Sequence, residues 1–181
     1  MLKKVWNFIW HDDSVLSWIV NVILALLIVK FLVYPGLGLV LGTSYPVVAV
    51  VSSSMHHNGN FDQWYDEKGD WYQFEKEDMR KWSFHNGFNK GDIMILKKAK
   101  NVKIGDVIVF YGNSNNPIIH RIVFVGENFY QTKGDNNIDS FEHLGEKHIN
   151  SDKVIGKAIG RVPLLGYVKI VFSEIFGGKL K

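Results

Sequence analysis

The stretch His120–Thr132, HRIVFVGENFYQT, indicates how the soluble part of this 181-residue chain folds. β-Branched and aromatic residues fill both halves of the stretch, and Gly126-Glu127-Asn128 lies between them. Two such runs separated by a short glycine-containing loop are typical of an antiparallel hairpin. The sequence therefore predicts two paired strands here.

Similar short runs lie on both sides of this hairpin. They are Val47–Val51, Ile93–Leu96, Val107–Tyr111 and Val154–Val162. Two of them follow a Gly-Asp pair, and the last continues up to Pro163. Short strands at this spacing, separated by turn residues, are typical of an antiparallel barrel or sandwich. We therefore expect a mainly β domain over residues 46–176.

An aromatic-rich segment interrupts the strand series at about residues 58–88. It contains nine aromatic side chains among acidic residues: Phe61, Trp64, Tyr65, Trp71, Tyr72, Phe74, Trp82, Phe84 and Phe88. One helical turn or more is expected near Glu75–Trp82. We interpret the segment as an insert with a small satellite core, and the alternative is a flap that touches substrate or membrane.

An apolar segment of a different kind precedes the strands. Val15–Tyr34, VLSWIVNVILALLIVKFLVY, has the twenty residues that a helix needs to cross hydrocarbon. Its strongly polar residues are Ser17, Asn21 and Lys30. Pro35-Gly36 is expected to end the helix. The sequence therefore predicts one transmembrane helix at about 15–34 within an N-terminal segment 1–45, because the apolar stretch is too long for a cleaved secretory signal.

Composition and charge exclude several classes of protein. The net charge of +3 is far short of that of a nucleic-acid binder. Because the chain has no cysteine, it has no disulfide, no thiolate nucleophile and no cysteine-based zinc site.

Lys3 and Lys4 favour a cytoplasmic N-terminus, which predicts that the β domain is extracytoplasmic or lumenal. The bases between Lys157 and Lys181 fit a surface that meets anionic lipid headgroups, and residues 177–181 are predicted to form a basic tail.

A candidate nucleophile follows the first aliphatic run. Ser52-Ser53-Ser54-Met55 comes directly after it, so hydroxyl groups lie where the backbone must turn. A serine nucleophile needs a base, a third group that fixes the tautomer of that base, and donors for the oxyanion. His120 is the candidate base. Taken alone, however, a serine triplet is more often a turn, and a single histidine is usually structural or exposed.

The order of the motifs is more informative than either residue. Six boxes follow one another: PVVAVVSSSM at 46–55, KGDIMIL at 90–96, IGDVIVF at 104–110, IHRI at 119–122, TKGDNN at 132–137 and VIGK at 154–157. This set resembles the conserved boxes of signal peptidase I. Bacterial relatives place a lysine base where this sequence has His120, so the resemblance is to the archaeal and endoplasmic-reticulum branch.

The resemblance implies a membrane-bound serine endopeptidase that removes signal peptides from secretory pre-proteins and cuts after small residues. Ser54 would be the nucleophile and His120 the base, and the Ser54 N–H and the Ser52 hydroxyl would hold the oxyanion. Family acids near the Gly-Asp-Asn box point to Asp139 as the partner of His120. Asp135 is the fallback, either as that partner or as a structural acid that satisfies nearby backbone donors.

The resemblance also implies the surroundings of such an enzyme. No metal or organic cofactor is needed for this mechanism. The protein is expected in the cell membrane, or in the endoplasmic-reticulum membrane of a eukaryote, and its pre-proteins would arrive from the translocation machinery. Lipid and pre-proteins are thus the expected partners, and nucleic acid is not.

Three alternatives compete with this interpretation. Calcium binding is suggested by residues at positions 1, 3, 5 and 12 of an EF-hand loop: Asp135, Asn137, Asp139 and Glu146. However, Ser140 takes the place of the glycine that this loop needs, and no amphipathic helices flank it. A zinc hydrolase is weakly supported, because the adjacent His56 and His57 would point to opposite faces of a strand. The last alternative is a non-catalytic, membrane-tethered β domain.

Overall fold

The computed structural model describes residues 2–113, 116–168 and 170. They form two compact units, one that ends at Val40 and one that begins at Leu41. The predicted tail at 177–181, and the predicted end of the β domain at residue 176, lie outside the described residues.

The first unit is helical. α1 (Leu2–Trp10) is followed by α2 (Val15–Ile28), a π-helical turn (Val29–Val33) and α3 (Tyr34–Leu41). The side chain of Ser14 caps α2 by accepting the backbone N–H of Ser17 at 3.2 Å. From Val15 to Leu41 the chain forms a continuous helix of 27 residues that is long and apolar enough to cross a membrane.

The predicted end of this helix at Pro35 is wrong. Proline lacks the N–H of an α-helical hydrogen bond, and its ring collides with the carbonyl group four residues earlier. The π-helical turn widens the helix just before the proline, since the N–H of Tyr34 donates to the carbonyl of Val29, five residues back. The helix therefore passes Pro35 and ends at Leu41, before Gly42 with a φ of 66°.

The second unit is built on one seven-stranded antiparallel sheet. Its strands are β1 (Val47–Ala49), β2 (Ile93–Lys97), β3 (Val107–Phe110), β4 (Ile118–Val125), β5 (Phe129–Lys133), β6 (Ile149–Asn150) and β7 (Val154–Val162). Their order in the sheet is β1-β2-β7-β3-β4-β5-β6. β4 and β5 pair across the predicted turn, where Gly126 donates its N–H to the carbonyl of Phe129 at 2.9 Å. The predicted mainly β architecture and its hairpin are confirmed.

The insert folds as α4 (Phe61–Lys68), a 3₁₀ turn (Gly69–Trp71) and α5 (Lys76–Met79). Asn60 and Gln63 form a capping box that fixes the start of α4. Phe88, at the end of the insert, packs into a core cluster of the sheet, whereas four other buried apolar side chains of the insert pack together: Phe61, Trp64, Tyr72 and Met79. These residues form the satellite core that was the first of the two interpretations.

The sheet buries apolar side chains on both faces. On β3, Val107 and Val109 pack into one cluster, while Ile108 and Phe110 pack into another, as the two-residue period of a strand requires. Met55 joins the first cluster, where its side chain is 1% exposed. Burial of a side chain of this size stabilises the fold by about 1.5–3 kcal/mol. The residue next to Ser54 is thus anchored in the core.

Candidate active site

Ser54 lies in a loop that is fixed on both sides of its hydroxyl group. The loop leaves β1 at Ala49, and Met55 holds its far end in the core. Asn136 donates its backbone N–H to the Ser54 carbonyl at 2.7 Å and its side-chain amide to the Ser53 carbonyl at 3.3 Å. Because Ser54 itself is only half-buried, its hydroxyl is positioned without being enclosed.

The structure brings His120 to this hydroxyl group. His120 lies on β4, is 3% exposed, and places Nε2 at 2.8 Å from Ser54 Oγ. Its other ring nitrogen, Nδ1, hydrogen-bonds Oε1 of Glu146. An ionised carboxylate can only accept, so Nδ1 carries the hydrogen and Nε2 keeps the lone pair that accepts the Ser54 O–H. In this tautomer the imidazole can remove the proton of the serine.

Glu146 reaches the imidazole from the loop between β5 and β6. The chain makes a 3₁₀ turn at Glu142–Leu144, and Gly145, with a φ of 76°, turns it back toward β5. There Thr132 donates its backbone N–H to the Glu146 carbonyl at 3.0 Å, and Phe141 donates its N–H to Oε2 at 2.8 Å. Glu146 is 0% exposed. Its carboxylate is therefore held in one orientation.

The expectation that Asp139 contacts His120 needs correction. Asp139 is exposed, and its Oδ1 accepts the N–H of the next residue, Ser140, at 2.7 Å. This local hydrogen bond keeps the carboxylate at its own turn. The 3₁₀ turn that follows brings Glu146 back to the sheet, and Glu146 takes the position at Nδ1 that the sequence assigned to Asp139.

Asp135 does not contact His120 either, but it is the centre of a second buried network. Its Oδ1 accepts from Nε of Arg121 at 2.8 Å and from the hydroxyl of Tyr72 at 3.1 Å. Its Oδ2 accepts from Nη2 of Arg121 at 2.7 Å and from Nε2 of His57 at 2.9 Å. The indole N–H of Trp64 donates to its backbone carbonyl at 3.1 Å. The carboxylate of Asp135 thus accepts from side chains, and not from the backbone donors that the fallback role named.

Arg121 is buried with all five of its N–H donors in use. Three of them donate to backbone carbonyls of Ser83, Gly105 and Phe84, and two form the fork on Asp135. Burial by itself would raise the pKa of the Asp135 carboxyl group. The charge and hydrogen bonds of Arg121 outweigh burial and hold this pKa well below its usual range.

Proteins of similar sequence identify the family of this chain. No protein-family model matches the chain. The signal peptidase complex catalytic subunit SEC11 of Eremothecium gossypii is 31% identical over 155 residues, which cover 80% of this chain and 75% of that protein. This chain belongs to the SEC11 family of signal peptidase catalytic subunits. Family members with the same name from Sclerotinia sclerotiorum and Yarrowia lipolytica are 25% and 26% identical, over 93% and 80% of this chain and 87% and 73% of their own lengths.

In this SEC11 family member, Ser52 lies beside the candidate nucleophile. Its Oγ is 3.1 Å from Ser54 Oγ, and its side chain is exposed. A hydroxyl at this position can donate to a neighbouring oxygen. The two groups assigned to the oxyanion, the Ser54 N–H and the Ser52 hydroxyl, thus come from one short loop.

The EF-hand pattern does not form a calcium site among the described residues. Glu146 contacts His120, and both carboxylate oxygens of Asp135 accept from Arg121. Within residues 2–113, 116–168 and 170, the structure contains no group of three or more His, Asp or Glu side chains that could hold a metal ion. His56 and His57 also separate, because His56 bonds Asn89 while His57 bonds Asp135.

Sequence reasoning missed Glu146, Arg121 and His57 as parts of this region. For Arg121 the sequence contained a local signal. Arg121 directly follows His120 on a predicted strand, so its side chain must point to the face opposite that of His120. For Glu146, the preceding Gly145 marks a turn but does not show where the turn leads. The contact between His57 and Asp135 joins residues 78 positions apart and has no local signature.

Proposed function

We propose that this protein is a membrane-anchored serine endopeptidase that removes signal peptides from secretory pre-proteins. The observation that carries the proposal is the line of contacts from Ser54 Oγ to His120 Nε2 and from His120 Nδ1 to Glu146. It supplies a nucleophile, a base and an orienting carboxylate in one row. Membership in the SEC11 family supports the substrate class.

In the proposed acylation step, Ser54 Oγ attacks the carbonyl carbon of the scissile peptide bond while its proton moves to His120 Nε2. Glu146 accepts from Nδ1 throughout and stabilises the imidazolium that forms. The Ser54 N–H and the Ser52 hydroxyl donate to the oxyanion of the tetrahedral intermediate. When the C–N bond breaks, His120 returns the proton to the departing amine, and Ser54 carries an ester of the signal peptide.

Deacylation uses the same groups in the reverse order. A water molecule replaces the amine, gives a proton to His120 Nε2 and attacks the ester carbonyl. The second tetrahedral intermediate collapses, Ser54 Oγ takes the proton back, and the signal peptide leaves with a free carboxylate. The cycle uses one water molecule and leaves the enzyme unchanged.

The sheet offers a route by which an extended substrate could reach Ser54. β1 is an edge strand of the sheet, and it ends a few residues before the Ser52–Ser54 loop. A peptide segment that pairs with such an edge would lead directly to this loop. We therefore propose that the cleavage segment binds as an added strand, with small side chains at the first and third positions before the cut.

The proposed location follows from the long apolar helix and the SEC11 family. The helix Val15–Leu41 would span the endoplasmic-reticulum membrane, or the cell membrane in a cell without that organelle. The β unit would face the lumenal or extracytoplasmic side, where pre-proteins emerge from the translocation machinery. Lys3 and Lys4 at the other end support this orientation.

The proposal is tested by cleavage of a pre-protein with the purified full chain in detergent. Ser54→Ala should abolish cleavage and labelling by a fluorophosphonate probe while the melting temperature stays within a few degrees of the parent's. The matched control is Ser53→Ala, which removes a neighbouring hydroxyl and should keep most of the activity. Cleavage by folded Ser54→Ala at the parent rate would refute the nucleophile assignment. Absence of any cleavage by the parent would favour the non-catalytic β domain.

A further inference from the structure

The N-terminal helix α1 has an apolar face that the described residues of the first unit leave mostly exposed. Leu2, Val5, Trp6 and Ile9 recur at the spacing of one helix face. Leu2 is 87% exposed, Val5 50% and Trp6 60%. The opposite side of the helix carries the polar residues Lys3, Lys4 and Asn7. A helix with this division is typical of a membrane–water interface.

α1 is fixed to the first turns of α2 by hydrogen bonds. Ser17 Oγ donates to the carbonyl of Phe8, and Asn21 Nδ2 donates to the carbonyl of Ile9 at 2.9 Å. Both carbonyls lie in the last turn of α1, where they lack partners within the helix. These two contacts account for two of the three strongly polar residues of the apolar segment.

The length of the helix Val15–Leu41 indicates the depth in the bilayer at which α1 and α2 are in contact. Its 27 residues extend for about 40 Å at 1.5 Å per residue, whereas the hydrocarbon core is about 30 Å thick. The ends of the helix therefore reach the headgroup regions. Trp18, which is 68% exposed, lies in the same first turns as Ser17 and Asn21, and tryptophan prefers that depth.

We propose that α1 lies in the headgroup region of the same bilayer, with Leu2, Val5 and Trp6 toward the acyl chains and Lys3 and Asn7 toward water. The nine residues of α1 are too few to cross the membrane. A lipid surface is the partner that fits this apolar face. The hydrogen bonds to the first turns of α2 hold α1 at headgroup depth. The inference rests on the membrane anchor of the proposed function, and not on its catalytic residues.

The absence of cysteine makes the test direct, because a single cysteine can be introduced and spin-labelled. The full chain is reconstituted in vesicles of phosphatidylcholine and phosphatidylglycerol, with labels placed by Val5→Cys, Trp6→Cys, Lys3→Cys, Asn7→Cys or Leu26→Cys. Power saturation then compares access of oxygen, which enriches in lipid, with access of a water-soluble nickel chelate. We expect the ratio of oxygen to nickel access to be several-fold higher at positions 5 and 6 than at 3 and 7. It should be highest at position 26.

Each other result contradicts the inference in a distinguishable way. If positions 5 and 6 were as open to nickel as 3 and 7 while position 26 stayed in lipid, α1 would be in water and the anchor would stand. If all four α1 positions resembled position 26, α1 would be inserted in the hydrocarbon. If position 26 were open to nickel, the membrane anchor itself would fail. Quenching of native tryptophan by brominated phosphatidylcholine, compared between the parent and Trp6→Phe, gives an independent reading without a label.

Discussion

Two buried histidine–carboxylate pairs lie in the same unit, and they have different surroundings. In one, Glu146 contacts His120, whose second ring nitrogen contacts Ser54. In the other, Asp135 contacts His57, whose second ring nitrogen has no hydrogen-bond partner among the described residues. The ring of His57 is stacked on Trp64 with centroids 4.1 Å apart.

The charge around each carboxylate explains what each pair can do. Arg121 already neutralises Asp135 through two hydrogen bonds, so His57 is an additional donor to a compensated anion. Glu146, in the part of the chain that the structure describes, has His120 as its one ion-pair partner. Its charge can therefore stabilise an imidazolium that forms during a reaction. An imidazole and a carboxylate thus form a structural element at His57 and Asp135, and a candidate proton-transfer pair at His120 and Glu146.

The largest expected difference comes from the same substitution in both histidines. His120→Gln should lower kcat/KM by about 10³-fold or more, because it removes the base. His57→Gln should keep kcat/KM within about 10-fold of the parent and lower the melting temperature by several degrees, because it weakens a hydrogen bond to a charged group. Pre-protein cleavage and thermal unfolding of both variants check this. Similar activity losses in the two folded variants would remove the distinction between the pairs.

Asp135→Asn should affect stability more than chemistry. The change leaves the buried Arg121 without its counter-charge, and breaking a buried ion pair costs about 3–5 kcal/mol. For a chain of this size the melting temperature should fall by about 10 °C. At temperatures where the variant is folded, its kcat should stay within about 10-fold of the parent's. A stable variant without activity would instead make Asp135 part of the catalytic machinery.

The same variant should change the response of stability to acid. Because Arg121 lowers the pKa of Asp135 in the folded state, the carboxylate stabilises the fold above its unfolded pKa of about 4. This contribution is lost as the pH falls below that value toward the folded pKa. The parent should thus lose melting temperature more steeply below about pH 4 than Asp135→Asn does. Parallel curves for the two proteins would mean that Asp135 is not the linked group.

Lys133 lies near both histidine–carboxylate pairs. Its substitution is expected to give the smallest change of those considered, a change in melting temperature at alkaline pH. Its Nζ has no hydrogen-bond partner among the described residues and lies 3.7 Å from the centre of the Tyr72 ring. Burial lowers the pKa of Lys133 to about 8, so the unfolded chain binds an extra proton between this value and 10.5. The parent should therefore gain a few degrees in melting temperature between about pH 8 and pH 10, and Lys133→Met should remove this gain. A gain that persists in Lys133→Met would point to another group.

The fold was largely predictable because its signals are local. Strand alternation and the turn at Gly126 act over a few residues, and they predicted the β4–β5 hairpin. The end of the long helix was not predictable from Pro35 alone, because the π-helical turn before it accommodates the proline.

The active site was only partly predictable, because some of its residues lie far apart along the chain and no local pattern joins them. Ser54 and His120 belong to motifs whose order resembles that of signal peptidase I, and the structure brings the two side chains into contact. Glu146 lies 26 residues from His120 and reaches it only through a 3₁₀ turn and the positive φ of Gly145. In the sequence, Glu146 stands out only as the twelfth position of an EF-hand pattern. Asp139 was predicted because the family resemblance implies an acid after the Gly-Asp-Asn box, and that resemblance carries no information about the turn at Gly145.

The most direct test of the central claim compares two carboxylates with the same conservative change. Glu146→Gln and Asp139→Asn are purified as full chains, and kcat and KM are measured on one pre-protein. If Glu146 orients His120, Glu146→Gln should lower kcat by about 10²–10⁴-fold with little change in KM, and Asp139→Asn should stay within about threefold of the parent. If folded Glu146→Gln instead keeps the parent's kcat while Asp139→Asn loses it, Glu146 does not orient His120.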